Sequence, residues 1–384
     1  MSFEFATAES VMFGEGIVEQ LPDIVRRCGQ RPLVVLGADL DRFSELVRRI
    51  ELTTLQVARF RVCREPTVED VEQAVVSARD HRADVVVGIG GGSVLDAAKA
   101  LAALVTNRRE VSEYLEVVGN GSTLEVPGLP CIAVPTTSGT GAEVTRNAVI
   151  DVPSHGVKVS LRGQFVLPRV ALVDPALSMS VPPATTAATG FDALAQVVEP
   201  YVSNRANPMT DALAEAAFAR VRTALSRAYH HPSDRQARCD MALVSLWGGM
   251  CLANAKLGAV HGLAGPIGGM LHVPHGALCA ALLGPVMRQN VTLAGRRGDC
   301  RDTLRRYERM ARILTDDSAA TAAEGVSWIE NLAEELGIRR LQELGVQERA
   351  FADIAARAAR ASSMQGNPLR LGVGEIIAIL ERAL

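Results

Sequence analysis

Two groups of residues have types and spacings that could do chemistry. The first is rich in glycine and hydroxyls. Gly88-Ile89-Gly90-Gly91-Gly92-Ser93 follows an apolar run and leads into VLDAAKALAAL, a strong helix pattern. A strand, a glycine turn and a helix N-terminus make an anion site, because bare backbone can approach phosphate and the free amides and helix dipole attract it. The turn is not a strict GxGxxG, since Ser93 takes the last position, and no Lys-Ser/Thr ending makes it a Walker loop. A second turn, PTTSGTGAEVT at 135–145, follows another apolar run. Its five Thr and Ser residues exceed what one helix cap uses. Ligands of doubly wound sheets bind at the carboxyl ends of strands, so two such ends with small hydroxyls and glycines suit a diphosphate.

The second group has the makings of a metal site. Asp192 and Gln196 stand four apart in ATGFDALAQVVEPYV and share one face of a helix. His261 lies in a long Ala/Gly/Leu stretch, and His275 follows fourteen residues later in HVPHG. A carboxylate and two histidines recur around Fe²⁺ or Zn²⁺ with positions left open for substrate. The plainer alternatives are a helix cap for Asp192 and satisfied core histidines.

The elements that position these groups differ between the two halves. Residues 32–37, 54–62, 83–89, 131–135 and 169–174 read as strands. Helical patterns lie between them, such as 68–80, where Val68, Val71, Ala74 and Val75 recur at helical spacing. Apolar strands alternating with helices predict a parallel sheet covered on both faces. After Asp174-Pro175 the strand signal ends. Residues 184–229, 236–264, 302–315, 318–336, 347–361 and 374–384 read as helices, punctuated by Asn207-Pro208, Pro274, Pro285 and Asn367-Pro368. The expectation is an α/β dinucleotide-binding domain over 1–178 and an all-helical metal and substrate domain over 179–384, sharing a cleft.

Composition supports this. Hydrophobic residues at 48% with 22% charged are enough for a large core and exclude wholesale disorder. A net charge of −3 with few aromatics argues against a nucleic-acid partner. No apolar run is long enough to predict a membrane span, and MSFEFATAES lacks a signal-peptide pattern. Seven scattered cysteines, never spaced as CxxC, read as reduced, mostly buried thiols with no partner at catalytic spacing, in a cytoplasmic protein.

These motifs resemble the iron-containing alcohol dehydrogenases, which have a dehydroquinate synthase-like fold. GGGSVLDAAK at 90–99 is similar to their GGGSxxDxAK signature, and 135–145 to their PTTxGTGxEVT segment. FDALAQVVEPYVS at 191–203 resembles their DALxHxxExYxS helix. Residues 259–276 resemble VHGxAHxxGxxxxxPHG. The resemblance spans the chain in order. It implies diphosphate contacts from Gly91, Gly92, Ser93 and Asp96, nucleotide contacts from Thr136, Thr137, Thr140 and Thr145, and a nicotinamide-ribose contact from Lys158. It implies a divalent metal, Fe²⁺ or Zn²⁺, on Asp192, Gln196, His261 and His275.

The chain departs from that pattern twice. Gln196 stands where the family usually has histidine, and an amide oxygen is a weaker ligand than imidazole. Gly265 stands where a histidine near substrate and cofactor is usual, which leaves His272 as the nearest candidate for proton transfer. Cofactor choice turns on the end of the second strand, where an acidic residue binds the adenosine ribose and repels a 2′-phosphate. If Gly37 holds that position, a 2′-phosphate is tolerated and Arg42 could meet it. If Asp39 turns inward, NAD is preferred.

The implied function is NAD(P)-dependent interconversion of a small alcohol and its aldehyde or ketone, with a metal as Lewis acid and Asp192 and His275 holding it. The alternatives are a metal-independent reductase resembling maleylacetate reductases, a dehydroquinate-synthase-like lyase, and a dinucleotide-binding protein without catalysis. A homodimer or larger homo-oligomer is expected from the family, with 4–13 as a strand that could pair across its interface. Small residues in GGMCLANA at 248–255 suggest room for more than ethanol.

Overall fold

The strands are β1 (Ser10–Phe13), β2 (Pro32–Leu36), β3 (Ala58–Arg61), β4 (Val85–Gly90), β5 (Cys131–Pro135), β6 (Asn147–Val152), β7 (Val157–Arg162) and β8 (Val170–Val173). They belong to a computed structural model that describes residues 2–54, 56–297 and 300–384. The chain divides into two units, one formed by 7–137 with 141–178.

In that unit the alternation of β2 explains its burial. Leu33 and Val35 join one apolar cluster with Val86 of β4 and with Val94 and Leu101 of the helix Gly92–Leu104. Val34 and Leu36 join another with Val85, Val87, Ile132 and Leu21. Every residue of β2 is buried because both sheet faces are covered, as the continuous apolar runs predict. The sheet order is β1-β8-β5-β4-β2-β3, with all neighbours parallel. Chain order reverses at β2, with β3 on one side and β4 on the other. The carboxyl ends of β2 and β4 therefore flank a topological switch point.

Three expectations change. The expected strand over 54–62 is only Ala58–Arg61, with Leu55 outside the described residues. It is the sheet edge, and its exposed Arg59 and Arg61 discourage further pairing. Within the expected strand 4–13 only residues 10–13 form one, pairing in parallel with β8 at the opposite edge of the same sheet. The antiparallel hairpin β6–β7 is an addition. It lays Ala148, Ile150, Val159 and Leu161 on the cluster containing Leu101, against a helix rather than within the parallel sheet.

The other unit comprises residues up to Ala6, 138–140 and 179–384. Its centre is the helix Pro183–Val202, buried at every residue from Gly190 onward. Against it lie Pro208–His230, Arg235–Ala255 and His275–Arg296. The stretch expected as 184–229 breaks where Asn207 forms a capping box and Pro208 takes the first helical position. The stretch expected as 236–264 bends by 98° between Arg235–Ala255 and Ala259–Leu271, at Lys256 with φ of 63°. Pro285, read as punctuation, lies inside the helix His275–Arg296. Among the described residues no single helix is long and apolar enough to cross a membrane.

Candidate active site

The glycine turn sits at the switch point. Gly91 is the N-cap of Gly92–Leu104 and no side chain caps the helix, so its first amides are presented at the carboxyl end of β4. Gly90 must be glycine because a Cβ there would lie 2.6 Å from Val94 Cβ. Thr137 lines the turn, with its Oγ1 3.4 Å from where a Gly91 Cβ would stand. Thr136 is buried at the end of β5, and its N–H donates to Gly90 O at 3.0 Å. Gly37 directly follows β2, and a Cβ there would meet only Val94 Cγ2, at 3.9 Å. Asp39 is exposed, and its Oδ1 accepts the N–H groups of Asp41 at 3.0 Å and Arg42 at 3.2 Å. Arg42 donates to Leu177 O at 3.1 Å and lies over the Phe43 ring.

Other mapped residues brace these turns. Asp96 Oδ2 accepts from Val149 N–H at 3.1 Å, and its Oδ1 lies 3.0 Å from Lys99 Nζ. The buried Lys99 also donates to Thr145 Oγ1 and Ala142 O, each at 2.9 Å. Asp96, Lys99 and Thr145 thus tie the glycine-turn helix to the hydroxyl-rich segment and the hairpin. Lys158 pairs with Glu65, its side chain almost buried. Thr140 belongs to the helical unit, where the neighbouring Gly139 backs onto Thr189.

Glu143, in the same segment, is fully buried. Burial pushes its carboxyl up to about 7, with Lys99 opposing only in part. The folded state therefore holds the proton more tightly than the unfolded chain does. The stability this contributes is present below the ordinary 4.5 and is lost as pH rises toward 7. Each tenfold in proton affinity is about 1.4 kcal/mol, so the loss is at most about 3 kcal/mol. Glu143→Gln should match the parent in acid and exceed it by up to that amount at about pH 8. Denaturant midpoints at both pH values check this, and equal pH slopes for the two proteins would contradict it.

In the helical unit three helices bring six side chains together. Asp192, Gln196 and Glu199 lie on Pro183–Val202, His261 on Ala259–Leu271, and His275 at the start of His275–Arg296 with Cys279 one turn on. Glu199 is buried. Its Oε1 accepts Val260 N–H at 2.6 Å, and its Oε2 faces His261 Nδ1 at 2.6 Å. Gly258 permits this approach, since a Cβ would lie 2.9 Å from Glu199 Oε1. The carboxylate holds a proton on Nδ1, which leaves Nε2 as the nitrogen turned toward Asp192. That Nε2 lies 3.4 Å from Asp192 Oδ1, and His275 Nε2 lies 3.8 Å from the same oxygen. Cys279 Sγ is 3.5 Å from His275 Nε2 and 3.8 Å from His261 Nε2.

Asp192, His261, His275 and Cys279 each offer one atom, all within 4.8 Å of one another. Burial alone would raise the Asp192 carboxyl, but His261, His275 and Gln196 hold it at about 2. Burial works against protonated histidine, yet Cys279, Glu199 and Asp192 raise His261 well above its ordinary value. Cys279 and Asp192 likewise carry His275 to about 9. Asp192 Oδ1 and Gln196 Oε1 are buried acceptors with no hydrogen-bond donor. Each such orphan costs about 1–3 kcal/mol. A divalent cation removes that cost at Asp192 and fits the donor set of carboxylate, imidazoles and thiol.

Two site features escaped the sequence reading. Glu199 was visible only within a motif. Cys279 corrects the expectation that the cysteines lack chemical partners; its signal was the spacing of four from His275, one helical turn. All seven cysteines are free, but only Cys131, Cys251 and Cys279 are buried. His272 is exposed, ends its helix in a left-handed conformation with φ of 52°, and is not one of the four clustered residues.

One unit carries a parallel switch-point sheet with a glycine turn and the other a His/Asp/Cys group, features that suit a nucleotide-dependent metal oxidoreductase. Residues 8–175 match the family model "Iron-containing alcohol dehydrogenase", and 186–384 match "Fe-containing alcohol dehydrogenase family, C-terminal". Long-chain-alcohol dehydrogenase 1 of Geobacillus thermodenitrificans is 38% identical, over 96% of this chain and 94% of its own. Alcohol dehydrogenase 4 of Saccharomyces cerevisiae is 32% identical, over 97% and 96%. The solved alcohol dehydrogenase from Oenococcus oeni superposes with a TM-score of 0.91 at 28% identity, covering 100% of both chains. The chain belongs to the iron-containing alcohol dehydrogenase family. It is an enzyme of alcohol–carbonyl oxidoreduction.

Proposed function

We propose that this enzyme interconverts an aliphatic primary alcohol longer than ethanol and its aldehyde, using NAD or NADP and a divalent metal held by Asp192, His261 and His275. The observation that carries the metal is the buried, donorless Asp192 Oδ1 facing two histidine Nε2 atoms. When bound, the metal supplies Lewis acidity toward the alcohol or carbonyl oxygen, and the nicotinamide gives or takes the hydride. The protein's residues prepare for both. Asp192 provides compensating negative charge, and Glu199 fixes the tautomer and aim of His261. The amides at the start of Gly92–Leu104 attract the diphosphate, and Lys99 braces the hydroxyl-rich segment.

Support for a longer substrate comes from Gly265. It lies one turn beyond His261 on the same helix face, and a Cβ there would meet nothing within 4 Å. The 38% identical relative is named a long-chain-alcohol dehydrogenase. Gly248, in contrast, is filled by helix packing, since its Cβ would lie 3.2 Å from Ala193 O and 3.3 Å from Gln196 Cβ. Support for both cofactors comes from Gly37, which leaves the end of β2 without a carboxylate, while Asp39 Oδ1 is engaged by its own turn.

Steady-state reduction of straight-chain aldehydes with NADH and NADPH tests this reading. kcat/KM is expected to rise from acetaldehyde to longer aldehydes. Absence of cofactor oxidation with every aldehyde would overturn the activity, and a maximum at acetaldehyde would overturn the substrate class.

A further inference from the structure

We propose that Cys279, and not Gln196, completes the metal centre, making it an Asp–His–His–Cys thiolate site suited to Zn²⁺. The proposal rests on the reading that Asp192, His261 and His275 hold a metal. It starts from a deficit: a neutral amide stands at 196 where a histidine ligand is usual in the resembled family. The structure supplies a replacement from a different helix. His275 and Cys279 are four residues apart on His275–Arg296, so they project from one face. Cys279 is fully buried, and its Sγ approaches both histidine Nε2 atoms.

The spacing fits a small tetrahedron. Bonds of about 2.0–2.3 Å to a central ion give ligand–ligand edges of about 3.3–3.8 Å. The four edges known here are 3.4 and 3.8 Å from Asp192 Oδ1 to the two histidines, and 3.8 and 3.5 Å from Cys279 Sγ to the same nitrogens. Charge points the same way. Asp192 and His261 are nearly inaccessible, and an uncompensated charge in such a place is costly. Within the ligand set one carboxylate and one thiolate match the charge of a divalent ion, whereas Asp192 with Gln196 leaves the balance to Glu199, which sits behind His261 Nδ1 rather than on the ion. Thiolate in a tetrahedral set also favours Zn²⁺ over harder ions.

Gln196 has another function. It helps hold the Asp192 carboxyl low, while its own buried Oε1 has no partner. It orients a ligand without being one.

The test loads metal-stripped protein with Zn²⁺ and reads the zinc K-edge absorption, with Co²⁺ as a second probe. The proposal expects one sulfur at about 2.3 Å among nitrogen and oxygen neighbours at about 2.0–2.2 Å. The Co²⁺ protein should show an intense near-ultraviolet thiolate-to-metal band, lost in Cys279→Ser and kept in Gln196→Ala. Zn²⁺ affinity of Cys279→Ser should fall by at least the roughly 10–100-fold typical of outer-shell losses. A zinc shell of nitrogen and oxygen alone, with no such band in the parent, would overturn the thiolate and leave the metal reading standing. Failure of the parent to bind about one Zn²⁺ per chain would overturn both. The parent spectra decide the matter even if the serine variant does not fold.

Discussion

Asp192→Ala is expected to lower aldehyde reduction by on the order of 10³-fold while leaving NAD(P)H binding unchanged. One oxygen of the carboxylate faces both His261 and His275, at 3.4 and 3.8 Å. Removing it takes away an anionic ligand of the proposed metal and leaves the buried His261 and the partly buried His275 without that counter-charge. Loss of one group that stabilises developing charge costs about 10²–10³-fold, and loss of the metal with it costs more. The glycine turn lies in the other unit, so fluorescence titration with NADH should give the parent's affinity. His275→Ala is expected to behave in the same way. Unchanged turnover in both variants would remove the metal role. A matching loss of NADH binding would instead indicate damage to the fold.

Gly37→Asp is expected to separate the two cofactors. Gly37 is the first residue after β2, beside the switch point, and its Cβ direction is open apart from Val94 Cγ2 at 3.9 Å. An aspartate there fits and points negative charge where an adenosine 2′-phosphate would lie. At about 4 Å each charge pair repels by about 1–4 kcal/mol, depending on exposure. kcat/KM with NADPH should therefore fall by at least about tenfold, and kcat/KM with NADH should hold or rise. Parallel changes with both cofactors would place the ribose site elsewhere.

The sequence was most legible where one element decides the outcome. The runs at 32–37, 83–89 and 131–135 are apolar throughout because both faces of the sheet are covered, and they appear as strands with ends shifted by a residue or two. The hairpin of Asn147–Val152 and Val157–Arg162 was not legible, because its reason for forming is the helix it covers. Helix breaks behaved similarly. Asn207-Pro208 announces itself, whereas the bend at Lys256 follows from the need to bring Gly258 and Val260 onto Glu199. At the site, His261 and His275 could be named from type and spacing. Cys279 could not be ranked, because a thiol acquires metal chemistry only from neighbours on other helices, and Asp192 and His261 come from two of them. Asp96, Lys158 and Thr145, named from the resemblance alone, also have partners that sequence does not show: Val149 and Lys99 for Asp96, Glu65 for Lys158 and Lys99 for Thr145.

Metal removal and return tests the central claim most directly. The purified enzyme is assayed for metal content and for aldehyde-dependent NADH oxidation, then after chelation, then after adding back Zn²⁺ or Fe²⁺. The account expects about one metal per chain, activity lost on chelation and restored by the ion, with the helical fold retained throughout. Full activity in metal-free protein would contradict it, and would leave cofactor positioning to carry the chemistry alone.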